Sequence, residues 1–193
     1  VIAPNDDTLG TKFDESSAQI ADTIRQLQSR QNINGAFELW ATTDNFPTPA
    51  SPTTVQTTAY VAQFLTLARD AGFNVPKDML GRAIGFLRDF AGTPIENADD
   101  AAAAAHAIFV ITQNDYITTN YINLFQEYAD KNIKNWQRTI SGAYIAAAYK
   151  MMKQDDAADK LIAQYRTTSS GFEYVSMYDN NVANDAMYNF INR

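Results

Sequence analysis

Two stretches of this chain are apolar on nearly every side, and they alternate with stretches that are apolar on one side only. Residues 97–113 run through Ala101 to Ala105, His106, then Ala107, Ile108, Phe109, Val110 and Ile111, and residues 139–153 read TISGAYIAAAYKMMK. Between and after them, residues 118–131 (Tyr121, Ile122, Leu124, Phe125, Tyr128) and 155–166 carry apolar side chains at helical spacing with a charged opposite face. A helix that is apolar all round needs cover all round, whereas an amphipathic helix needs it on one side. The alternation therefore predicts two concentric layers, inner helices buried on both faces and outer helices with one wet face.

The first half of the chain supplies more hairpins of the same kind. A helix is expected over 15–30, capped by Asp14, with Ile20, Ile24 and Leu27 at i, i+4 and i+7. Asn34-Gly35 ends that segment, because glycine tolerates the positive φ needed to reverse the chain. A loop over 36–53 holds Pro47, Pro49 and Pro52. The next helix, 54–71, places Tyr60, Phe64 and Leu67 on one face with Val61, Leu65 and Ala68 beside them, and Gly72 closes it. Pro76 opens a helix reaching about Phe90, with Met79, Ala83, Phe86 and Leu87 toward the core. A last helix starts near Asn184, and residues 1–13 read as an irregular lead-in. No run has the alternation of a β-strand. Gly35-Ala36-Phe37-Glu38-Leu39-Trp40 is echoed by Gly171-Phe172-Glu173-Tyr174, each after a helix with Gln and Arg near its end. Repeated hairpins that bury a face only against their neighbours imply a toroid or solenoid. The expected fold is all-α, a partial α/α-toroid, and the 193 residues are one domain or a fragment of one.

Composition removes several classes of function. A net charge of -7 provides no electrostatic footprint for nucleic acid. The longest apolar run, Ala101 to Ile111, is too short and alanine-rich to span a bilayer. With 46% hydrophobic residues the chain has enough apolar material for a core. Zero cysteines exclude a disulfide, a thiolate metal ligand, a cysteine nucleophile and a thioester within these residues.

The Gln31-x-x-x-Gly35-x-Phe37 turn resembles the Gln- and aromatic-containing turns of α/α-toroids such as terpene cyclases. Three longer segments, GAFELW (35–40), TTAYVAQFLTLARDAGFNVPKDMLGRAIGFLRD (57–89) and ISGAYIAAAYKMM (140–152), are similar to the thioester domain of bacterial alpha-2-macroglobulins, and the resemblance spans most of residues 15–190. It implies a non-enzymatic, cofactor-free module of a large periplasmic protease trap, meeting proteases through the full-length protein and packing on neighbouring domains of the same polypeptide. In that family a Cys-x-Glu-Gln segment forms an internal thioester that acylates an attacking protease once a bait region is cut. A subgroup lacks the thioester. The resemblance places that segment before the first helix, so the chain is expected to begin shortly after it and to lack further helices beyond Arg193.

No catalytic or metal-binding set follows from the residues. His106 is the only histidine, with Asp99 seven positions earlier on the same helical face, and the expected role is a core histidine with one hydrogen bond, because a metal site needs three or four ligands. Some complement-type relatives carry a histidine in the loop matching 41–56, and this chain has none there. Asp99-Asp100 lacks the third acid of the terpene-cyclase motif and reads as the start of a helix, as does Asp155-Asp156. The absence of cysteine argues against a protein prenyltransferase. Trp40, Phe46 and Tyr174, in aromatic loops of low charge, are the candidate surface for a thioester segment or neighbouring domain. Glu38 and Glu173, at matched positions of the repeated turn, are the acid–base pair of the alternative reading, a toroid glycoside hydrolase or polysaccharide lyase.

Overall fold

In the computed structural model, residues 7–39, 46–165, 185–186 and 188–189 are described. They form seven α-helices: α1 (Asp7–Gln28), α2 (Pro52–Asp70), α3 (Lys77–Ala91), α4 (Ala98–Gln113), α5 (Thr119–Asn132), α6 (Ile140–Met151) and α7 (Asp155–Ile162), with a 3-10 turn at Trp136–Arg138. Among the described residues the only β pairing is an isolated antiparallel bridge between Gln31 and Phe37. The expected all-α class holds.

The layers are as the sequence implied. Helix α4 packs on α2 and on α6, α3 packs on α2 and α4, α5 packs on α4, and α7 packs on α6. This puts α2, α4 and α6 in an inner layer and α3, α5 and α7 in an outer one. Ala59, Ala62, Ala103, Ala105, Ala107, Ala143 and Ala148 are fully buried on the inner helices, together with Leu65, Ile108, Ile111 and Ile145, and the outer ones bury Met79, Leu87, Ile122 and Phe125. The many alanines let the inner helix axes approach closely.

Helix starts follow local chemistry. Ser51 Oγ accepts from the Thr54 amide at 3.2 Å, with Pro52 in the first turn of α2. Asn97 Oδ1 accepts from the amides of Asp99 and Asp100 at 2.9 and 3.0 Å, so the cap of α4 is Asn97, and the two acids occupy the first turn against the helix dipole. The Asp100 carboxylate reaches back to the Glu96 amide at 3.2 Å. The inner helices also end alike. Gly72, Asp115 and Lys153 follow α2, α4 and α6 with φ of 91°, 66° and 62°, each a left-handed residue that turns the chain into the outer helix. The Phe73 amide bonds the Ala68 carbonyl and the Gln154 amide the Tyr149 carbonyl, at 3.0 and 2.9 Å.

Three expectations need correction. Helix α1 begins at Asp7, so residues 7–13 are helical rather than an irregular lead-in, and Asp14 lies inside the helix. Leu9 and Phe13 continue the spacing of Ile20, Ile24 and Leu27 backwards in the sequence. The face of α2 is also different. Tyr60 and Leu67 are 48% and 40% exposed and Phe64 is half-buried, while Val55, Ala59, Ala62 and Leu65 are fully buried. Lastly, α7 stops at Ile162 rather than 166.

Candidate functional site

The turn after α1 is held by side chains on three sides. Gln31 Nε2 donates to the carbonyls of Gly35 at 3.1 Å and of Met79 in α3 at 2.8 Å. Its Oε1 accepts from the Arg82 guanidinium at 2.7 Å. The Phe37 amide donates to Thr58 Oγ1 in α2 at 2.9 Å, and the Phe37 ring is buried. Asn34 Nδ2 donates to the Thr48 carbonyl at 2.8 Å, which ties the proline-rich loop back onto the turn. Gln31 thus ties the turn to α3 through the Met79 carbonyl, and Phe37 ties it to α2. Gly35 has φ of +90°, and a Cβ there would sit 2.2 Å from the Arg82 carbonyl oxygen. Close backbone approach, as well as conformation, requires glycine.

Around this turn Ile33, Leu39 and Phe46 are 64%, 63% and 77% exposed. Of the three candidate packing residues, Phe46 is therefore on the surface, and Trp40 and Tyr174 lie outside the described residues. Glu38 is half-buried beside the turn, and Glu173 also lies outside the described residues. At the opposite end of the hairpins, Tyr116, Ile117, Met151 and Lys153 border a cleft of about 610 Å³ between the α4–α5 and α6–α7 connections.

The second polar feature lies on the inner layer. Gln56, Tyr60 and Gln63 recur at i, i+4 and i+7 on α2, and Tyr60 and Gln63 reach His106 of α4. His106, fully buried in α4, approaches Gln63 Oε1 through Nε2 at 2.9 Å. Its ring stacks on Tyr144 of α6, with centroids 4.5 Å apart and planes 8° apart, and Tyr60 meets it edge-on at 4.7 Å. One residue from each inner helix thus joins a row of three rings. His106 Nδ1 and Gln56 Oε1 are buried and have no partner. Burial holds the imidazole at a pKa of about 3, so it is neutral. Burial first, then the neighbouring Tyr60 phenol, raises Tyr144 well above its ordinary value. His106 is the core histidine with one hydrogen bond that its apolar helix implied. Among the described residues no group of three acidic, histidine or cysteine side chains is placed to hold a metal. The row itself was missed, although the 56-60-63 spacing was its signal, because Tyr60 had been grouped with Phe64 and Leu67.

Comparison with known proteins follows the same lines. No family model matches the chain. It is 34% identical over 154 residues to an alpha-2-macroglobulin of Rickettsia conorii, covering 79% of this chain and 8% of that protein. It is 36% identical over 152 residues to an alpha-2-macroglobulin homolog of Yersinia pestis, covering 75% of this chain and 7% of the relative. The chain thus spans less than a tenth of the length of the relatives it matches. Among solved structures, native Escherichia coli alpha-2-macroglobulin from domain MG7 to the C-terminus superposes with a TM-score of 0.72 at 19% identity, over 92% of this chain and 28% of that one. The same protein activated by porcine elastase gives 0.68 at 18%, over 91% and 16%. At such identity these structures speak for the fold, the same helical arc. With the sequence identities to two bacterial relatives added, the chain belongs to the alpha-2-macroglobulin family.

Proposed function

We propose that this chain is helical thioester-domain material of a bacterial protease trap, and that its part is scaffolding rather than chemistry. The observation that carries the reading is the 34–36% identity to alpha-2-macroglobulins over three quarters of the chain. The arc of hairpins suits the role: its inner layer is packed shut with alanines, and its turns present Ile33, Leu39 and Phe46 outward. An Escherichia coli relative is described as activated by elastase, which supports protease contact through the full-length protein. On this reading the aromatic loops with Trp40, Phe46 and Tyr174 are where the thioester segment or a neighbouring domain packs, and the protein works in the periplasm. The relatives reported above are all alpha-2-macroglobulins, so a glycoside hydrolase or lyase built on Glu38 and Glu173 has no support among them.

The test uses the full-length protein that contains this chain. It is expected to capture a broad serine protease such as elastase into a complex visible on a native gel. The Trp40→Ala, Phe46→Ala and Tyr174→Ala variants together are expected to lower the captured fraction at least about tenfold, the effect of truncating buried aromatic anchors. Normal capture by the triple variant would remove the packing role. Failure of the unmodified protein to capture or slow any protease would overturn the trap itself.

A further inference from the structure

The row of rings across the inner layer has a property that trapping does not use. His106 is the single histidine of the chain, and its environment is suited only to its neutral form. Nε2–H donates to Gln63 Oε1 at 2.9 Å, which leaves the ring's lone pair on Nδ1, buried and facing no donor. The titratable groups against the ring are the phenols of Tyr60 on α2 and Tyr144 on α6. No carboxylate or ammonium from α2, α3, α5 or α6 alters its affinity for a proton, burial being the only cause at work.

We infer that the Tyr60–His106–Tyr144 row is an acid-sensitive latch: uptake of a solvent proton at His106 Nδ1 parts the inner layer between α2 and α4. A protonated ring presents two N–H donors, and only Gln63 waits for one of them. The second must find water, because an unpaired buried charge costs several kcal/mol. Water has one short way in. Tyr144 is 1% exposed, whereas Tyr60, on the other side of the imidazole, is 48% exposed. A stacked phenol tolerates a cation over its face, so the α4–α6 contact outlasts the α2–α4 contact. The latch therefore opens at Tyr60, with α2 lifting to admit water, which accepts the Nδ1–H and takes over the Nε2–H from Gln63 as the helices part.

The sign follows from linkage. A histidine held neutral in the closed state stabilises that state above its open-state pKa of about 6.5, and this stability is lost as pH falls from there. Each unit below about 6.5 favours the open form tenfold, or roughly 100-fold by pH 4.5. The test is hydrogen exchange of the chain, compared between about pH 7 and about pH 4.5 after correction for intrinsic rates. In the wild type the α2 amides should lose protection by about that factor while those of α6 change much less, and in His106→Gln the α2 loss should shrink to the background of other titrations. Equal pH dependence in both proteins would overturn the latch. Should the variant not fold, the imidazole resonances of the wild type decide, since one histidine needs no assignment. A neutral ring whose charged form emerges only as α2 opens supports the latch. A ring that titrates near 6.5 with α2 still protected, or stays neutral while α2 opens, overturns it.

Discussion

Glycine at position 35 sits where conformation and contact make the same demand. Its φ of +90° excludes an easy fit for any other residue, and the Arg82 carbonyl lies 2.2 Å from where a methyl would go. Gly72 has a similar φ of +91° but nothing within 4 Å of a Cβ. The two positions separate the terms. Gly72→Ala is expected to cost about 1–2 kcal/mol, the left-handed strain alone. Gly35→Ala adds a collision with backbone and is expected to cost about 2–4 kcal/mol, because the turn must back away from α3 and stretch the Gln31 bridge. Urea midpoints of the two variants check the order. Equal shifts would mean that the turn gives way freely and that Gln31, for all its bonds, does not fix it.

At the scale of elements, the contact between α6 and the turn before it behaves in the same manner. A Cβ on Gly142 would meet the Gln137 carbonyl at 2.3 Å, so Gly142→Ala pushes the Trp136–Arg138 turn off α6. Trp136 is anchored there by the edge of Phe125 at 5.0 Å and by Asp130 Oδ1, which accepts from its indole N–H at 2.7 Å. The variant is expected to lose about 1–3 kcal/mol and to shift Trp136 emission to the red. Gly81, exposed in α3 with open space around it, gives the opposite sign: Gly81→Ala should stabilise by about 0.5–1 kcal/mol. Thermal unfolding with fluorescence detection reads both. These elements were legible to different degrees. Helices α4 and α6 announced themselves, because nothing but burial explains sixteen- and twelve-residue helices with almost no polar face. Helix α2 did not. The sequence groups Tyr60, Phe64 and Leu67 on one face by their apolar character, whereas the buried face of α2 is built from Val55, Ala59, Ala62 and Leu65. Gln56 and Gln63, polar residues at helical spacing on that buried face, carry no signal in an apolar pattern, and the ring row goes with them. Trp40 and Tyr174 stand out by composition and resemblance and lie outside the described residues.

For the molecule as a whole, α4 is the element on which the others depend. It touches α2, α3, α5 and α6, and Ile108 and Ile111 at its centre are fully buried. No hairpin then has a core of its own, in contrast with a solenoid whose repeats are separable. Ile108→Ala is expected to cost about 2–5 kcal/mol and to lower one common unfolding midpoint for fluorescence and circular dichroism alike. A shortened chain ending at Ile95 should show little helix and no cooperative transition, since α2 and α3 would lack the face they share. Two resolved transitions in the intact chain would contradict this.

The left-handed residues that close the inner helices have a consequence for how such an arc can change length. Connections from inner to outer helices, 71–76, 114–118 and 152–154, are short and each locked by one residue of positive φ. On the other rim the connection from α1 to α2, 29–51, is long, whereas 92–97, between α3 and α4, is as short as 71–76. One rim of the arc is thus a fixed seam, and the other is opened at residues 29–51. Chain variety, whether inserted loops, altered surfaces or attachment of further domains, can accumulate at that one long connection without disturbing the spacing of the hairpins.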